Sequence, residues 1–117
     1  MCTLVSACGQ NYHISVGEEV VITSPNFPNV YDNDLDCEWT VTTDSDDVLY
    51  VEFTDFITAF TDKVKVFDGQ DEIATYYGKS LPAAFTTTKP ETRITFTTNN
   101  FGQKDGFRLV VKVEPSK

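Results

Sequence analysis

The chain has 117 residues, with 18 Asp and Glu against 9 Lys and Arg, a formal charge of −9 and a pI near 4.3. That length suits one domain, and 40% hydrophobic with 13% aromatic residues excludes a disordered tail. The acidity argues against nucleic acid, since nothing would neutralise its phosphates, and no apolar run reaches membrane-spanning length.

The opening MCTLVSACGQ lacks a basic segment and has too short an apolar stretch for a signal peptide. It carries Cys2 and Cys8, and with Cys37 the count allows one bridge and one thiol left over. NYHISV (Asn11–Val16) and EVVITS (Glu19–Ser24) read as strands, rich in β-branched residues and bounded by Gly and Pro. His13, the only histidine, sits in the first of these with no nucleophile context such as G-x-S-x-G. An edge-strand histidine is therefore expected rather than a catalytic base, and no enzyme is predicted.

The polar stretch SPNFPNVYDNDLD then runs into Cys37, Glu38 and Trp39. In DCEWTVTT, Cys37, Trp39 and Val41 share one face. Leu49, Val51 and Phe53 do so in VLYVEFT, and Val64 and Val66 in KVKVF, opposite Lys63 and Lys65. Ile94 and Phe96 oppose Arg93, Thr95 and Thr97 in TRITFTT, and Phe107, Leu109 and Val111 oppose Arg108 and Lys112 near the end. A period of two over at least five segments predicts half-buried antiparallel strands. Two such sheets packed on their apolar faces give an all-β sandwich. Cys37 then points inward, and Cys8, just before a strand, is its natural partner. That bridge would close a loop of about 30 residues and contribute roughly 3 kcal/mol in the chain-entropy account. It also orders the polar loop between the two cysteines, helped by prolines and by Asn and Asp side chains bonding nearby backbone.

The acids Asp32, Asp34, Asp36, Asp44, Asp46 and Asp47 gather around the Trp39 strand. They read first as solvated loops and second as a patch for a basic partner. Phe56, Phe60, Tyr76, Phe85 and Phe101 fall in or near predicted loops, where they would plug the core or anchor an interface.

ACGQ (Ala7–Gln10), SPNFPNVY (Ser24–Tyr31), CEW (Cys37–Trp39), FDG (Phe67–Gly69), YGKSLP (Tyr77–Pro82) and DGF (Asp105–Phe107) occur in this order. Together they resemble the successive landmarks of a CUB domain. The resemblance implies a jelly-roll-like two-sheet sandwich over residues 8–113, with an N-terminal extension (1–7) and a C-terminal tail (114–117). It implies a secreted, non-catalytic module that binds an extracellular protein or a glycan through its end loops. The loops holding Tyr31, Asp55, Asp62, Asn99 and Phe101 are the candidates. The family's second disulfide would fall at Ala59 and Tyr77, where packing is expected in its place. Its calcium ligands would fall at Tyr31, Asp62 and Asn99, a set short of carboxylates with Asp55 as the nearest further acid. No cofactor is therefore expected, with calcium as the alternative. Cys2 lies outside the family pattern, and a covalent homodimer or tether through it is the competing, structural reading.

Overall fold

The computed structural model describes residues 6–99, 102 and 104–114. Ten strands follow the chain: β1 (Ser6–Cys8), β2 (Asn11–His13), β3 (Glu19–Thr23), β4 (Leu35–Thr42), β5 (Val48–Ile57), β6 (Lys63–Asp68), β7 (Asp71–Tyr76), β8 (Phe85–Thr86), β9 (Glu91–Thr97) and β10 (Gly106–Glu114). One sheet has the order β1-β4-β9-β6-β7, with β2 also paired to β4; the other has the order β3-β10-β5-β8. The all-β sandwich is thus present. The pairings are antiparallel except at one edge, where β1 and β2 lie parallel to β4. These two strands are only three residues long and consecutive along the chain, so one long strand carries both.

Period-two burial fills the space between the sheets. Cys37, Trp39 and Val41 of β4, Val64 and Val66 of β6, and Ile94 and Phe96 of β9 face Leu49, Val51 and Phe53 of β5 and Leu109 and Val111 of β10. Phe107 joins the two layers. Its ring meets Trp39 at 5.8 Å and Phe96 at 5.0 Å edge-on, Phe53 at 6.2 Å, and Phe56 in a stack at 6.5 Å. Such aromatic pairs add to the area they bury. Trp39 follows the polar loop because its strand begins there and its ring reaches this cluster.

The strand β5 runs to Ile57, past the expected end at Thr54. A β-bulge lies opposite Arg108 and Leu109, where Leu109 pairs with Phe53 but Arg108 pairs with Asp55. The extra residue puts Thr54 and Asp55 both outside and returns Phe56 to the core at 5% exposure. Bulges re-aim side chains in this way. Two exposed polar residues in succession therefore looked like a loop, and Phe56 is a strand residue rather than a loop aromatic.

The landmark motifs have local physical roles. Cys8 pairs in register with Cys37 and the two form the disulfide. Gly9, at φ 108°, presses so closely on Glu38 that a Cβ would collide with its carbonyl. Ser24, fully buried, accepts the Phe107 N–H at 3.1 Å while its own N–H donates to the Phe107 carbonyl at 3.0 Å. Gly106 leaves the room for that hydroxyl. Asp68 accepts the Thr88 N–H and hydroxyl and the Lys89 N–H. Burial works to raise its pKa, but those donors and the Lys89 charge together hold it below the ordinary carboxylate value.

Candidate functional site

Three connections, β3 to β4, β5 to β6 and β9 to β10, converge at one end of the sandwich, and Tyr31 and Asp62 tie them together. The chain after Ser24 makes two successive turns, through Phe27 N–H to Ser24 and Asn29 N–H to Asn26, and delivers Tyr31 to the interior. Tyr31 N–H donates to the Lys104 carbonyl at 3.1 Å. Its ring packs edge-on to Phe96 at 5.0 Å. Its hydroxyl donates to Asp62 Oδ2 at 2.6 Å and accepts the Ala59 N–H at 3.1 Å. The other Asp62 oxygen accepts the Asn99 N–H at 3.0 Å, and the Asn99 carbonyl accepts the Asp34 N–H at 2.9 Å. Tyr31 and Asp62 are each 1% exposed. Burial, then the bond to Asp62, pushes the Tyr31 hydroxyl well above the ordinary tyrosine pKa.

The candidate ligands Tyr31, Asp62 and Asn99 are thus brought together, but as a hydrogen-bonded knot. Asp62 is its one carboxylate, and both of its oxygens are already engaged. Asn99 contributes its backbone amide. Asp55 is not part of it: the bulge leaves it exposed on β5, accepting the Thr54 hydroxyl at 2.7 Å. Among the described residues there is no group of three or more His, Cys, Asp or Glu placed to hold a metal. Phe101 and Cys2 lie outside the described residues.

Where the family's second bridge would sit, backbone and rings make the link. Thr58 N–H donates to the Gly78 carbonyl at 2.8 Å, and Gly78 N–H donates back to the Thr58 hydroxyl at 3.0 Å. Tyr77 sets its ring against Phe60 at 6.1 Å, one residue beyond Ala59. Phe60 itself is 75% exposed. Of the expected loop aromatics, Tyr76 and Phe85 instead pack on the core.

Three residues of this end escaped sequence reasoning: Lys63, Lys79 and Lys104. Lys63 holds its Nζ 5.7 Å above the Tyr77 ring, and Lys79 and Lys104 line a groove beside Phe60. The one hint was the KS pair within YGKSLP, which carried no charge pattern on its own. His13 lies exposed on β2, with its ring nitrogens against Thr42 Oγ1 at 2.9 Å and Asp44 Oδ1 at 3.3 Å. That is a surface contact, not a triad.

A family model of the CUB domain matches residues 8–110. The chain is 33% identical to rat cubilin over 103 residues, covering 80% of this chain and 3% of cubilin. It is 31% identical to the zinc metalloproteinase nas-39 of Caenorhabditis elegans over 108 residues, covering 87% of this chain and 11% of that protein. The chain therefore spans a small part of these curated relatives. Among solved structures it is similar to the CUB1-EGF-CUB2 region of human MASP-1/3, with a TM-score of 0.82 at 24% identity over 90% of this chain and 41% of that one. It is also similar to the MASP-1 CUB2 domain bound to Ca2+, with a TM-score of 0.78 at 23% identity over 90% and 99% of the two chains. At such identities the likeness shows the fold.

Proposed function

The chain belongs to the CUB domain family, and from that premise we propose that residues 8–113 form a non-catalytic extracellular recognition module, part of a larger secreted protein, that binds a protein partner through the loops at one end. The observation that carries this reading is the Tyr31–Asp62 knot. It joins the loops at residues 31, 59–62 and 99 through buried hydrogen bonds, so their exposed residues are presented on a fixed frame. A pre-ordered surface binds with less loss of conformational freedom. The knot itself offers no acid, base or nucleophile to a substrate, since its polar atoms are paired and buried.

The Cys8–Cys37 disulfide supports an oxidising, extracellular setting. Among the described residues the donor set does not fit calcium. The ion takes six to eight oxygens, whereas this knot supplies one carboxylate whose oxygens already accept the Tyr31 hydroxyl and the Asn99 amide. Hydrogen bonds, on this reading, fix the loops.

The test is to probe a panel of secreted proteins and receptor ectodomains with the purified, biotinylated chain. A saturable interaction, abolished by excess unlabelled chain, is the expected result. The reading fails if no panel member binds saturably, or if a hydrolase substrate is turned over by activity that copurifies with the chain.

A further inference from the structure

The molecule is acidic, yet it leaves three lysines without a carboxylate at one place. Lys65, Lys89 and Arg93 each have an ion-pair partner, at 3.9, 2.7 and 3.5 Å. Among the described residues Lys63, Lys79, Lys104, Arg108 and Lys112 have none, on a chain with 18 Asp and Glu, and of these Lys63, Lys79 and Lys104 share this end. These same lysines surround exposed apolar surface. Phe60, Tyr77 and Leu81 are 75%, 49% and 57% exposed. Tyr77 joins them through its edge contact with Phe60 and the Lys63 ammonium above its ring. A groove of about 560 Å³ runs beside Phe60, lined by Thr58, Ala59, Gly78, Lys79 and Lys104. Lys79 also borders a second groove, which Leu81, Asp55 and Asp105 line as well.

Exposed rings beside unpaired cations are what an interface presents before its partner arrives: an aromatic anchor in a groove, with charges at the rim. Leaving Phe60 in water forgoes about 25 cal/mol for each Å² of apolar surface, and nothing in the core demands it, because the Thr58–Gly78 bonds already close this loop. Those bonds, with the Tyr31–Asp62 knot beneath, keep the surface in shape without a ligand.

We infer that Phe60, Tyr77 and Leu81, with Lys63, Lys79 and Lys104, form a docking surface for an acidic segment of a partner protein, which seats an apolar side chain against Phe60 and sets carboxylates on the lysines. This rests on the recognition-module reading and names its surface. It also reverses the sign of partner that the acidic loops around Trp39 suggest. The apolar rings favour a polypeptide over a sulfated glycan, whose contacts would be almost wholly ionic.

The experiment selects a random-peptide phage library on the chain and measures the recovered peptides by fluorescence anisotropy. Binding is compared among the wild type, Phe60→Ser, and the triple variant Lys63→Glu, Lys79→Glu, Lys104→Glu. These side chains are exposed or half-buried at the surface, and each variant's thermal melt is checked against the wild type. The expected peptides carry Asp or Glu around an apolar residue, bind about tenfold more weakly to either variant, and weaken as salt rises. No enrichment, peptides without acids, or equal binding by all three proteins overturns the surface. If a panel protein still binds all three proteins equally, the recognition reading stands and only this surface falls. Two further outcomes overturn the proposed occupant: loss of heparin binding in the triple variant with no peptide effect assigns the surface to a sulfated glycan. A wild-type dimer in sedimentation that dissociates in the variants assigns it to a second copy of the chain.

Discussion

Tyr31 carries two polar obligations on one oxygen, one to Asp62 and one to the Ala59 amide. Phenylalanine would keep the ring against Phe96 but strip both partners of their bond in a buried place. Leaving such groups unsatisfied costs about 1–3 kcal/mol, so Tyr31→Phe should lower the urea midpoint by that cost divided by the slope, with the slope itself unchanged. The hydroxyl also gives the fold an alkaline limit. Its pKa is raised in the folded state, by burial first and by Asp62 second, so the native chain holds this proton more tightly than the unfolded chain does. The resulting stability is complete below the ordinary tyrosine value of 10.0 and is lost as pH climbs through it toward the raised one. Denaturant midpoints taken from neutral pH to above that value should fall more steeply for the wild type than for Tyr31→Phe. Parallel curves would mean that other groups set the limit.

At the scale of elements, the Ser24–Gly106 contact locks the entry of the SPN loop to the start of β10. Gly106 has φ 97°, and a Cβ there would overlap the Ser24 hydroxyl. Gly106→Ala should therefore cost roughly 2 kcal/mol or more, from backbone strain and the clash together. Removing the hydroxyl relieves the worst of the clash, but leaves the residue-24 Cβ at 2.9 Å and the backbone strain. The double variant Ser24→Ala, Gly106→Ala should thus cost less than the sum of its parts yet stay less stable than Ser24→Ala alone. Strict additivity would show that the two residues do not meet. This contact also shows what the sequence makes legible. The central strands were readable because one face is buried and the side-chain period of two survives there. β7 was not, because its DEIATY lies at a sheet edge with no cleanly buried face, and β1 and β8 are too short to show a period, whereas β2 was legible from the composition of NYHISV. Thr54 and Asp55 misled because the bulge broke the alternation. Tyr31 and Asp62 were recognisable from their motifs, but the knot between them depends on backbone amides that no residue pattern encodes. The lysines around Phe60 come from the start of β6 and from two separate connections, and meet only once the sheets have paired.

The whole molecule responds to any ligand of its native state, since specific binding shifts the entire unfolding equilibrium. A site saturated at about 100 times its dissociation constant adds roughly 2.7 kcal/mol, which moves the thermal midpoint by several degrees. The expected result is that melts with excess calcium and with a chelator superimpose. To coordinate the ion, Asp62 would have to take it in a buried place where each of its oxygens already accepts a hydrogen bond, and among the described residues it belongs to no group of three or more His, Cys, Asp or Glu that could share the ion. The charge of −9 calls for a control, because divalent cations screen self-repulsion on an acidic surface whether or not a site exists. Magnesium supplies it. Screening depends on ionic charge and concentration, so it lifts the midpoint equally for both ions. A built site of flexible oxygens prefers calcium, since magnesium demands a tighter octahedron and gives up its water reluctantly. A small rise shared by the two ions therefore keeps the hydrogen-bonded reading of the loops. A rise of several degrees with calcium alone would mean that the knot opens to admit the ion, and that the end of the sandwich is fixed by metal after all.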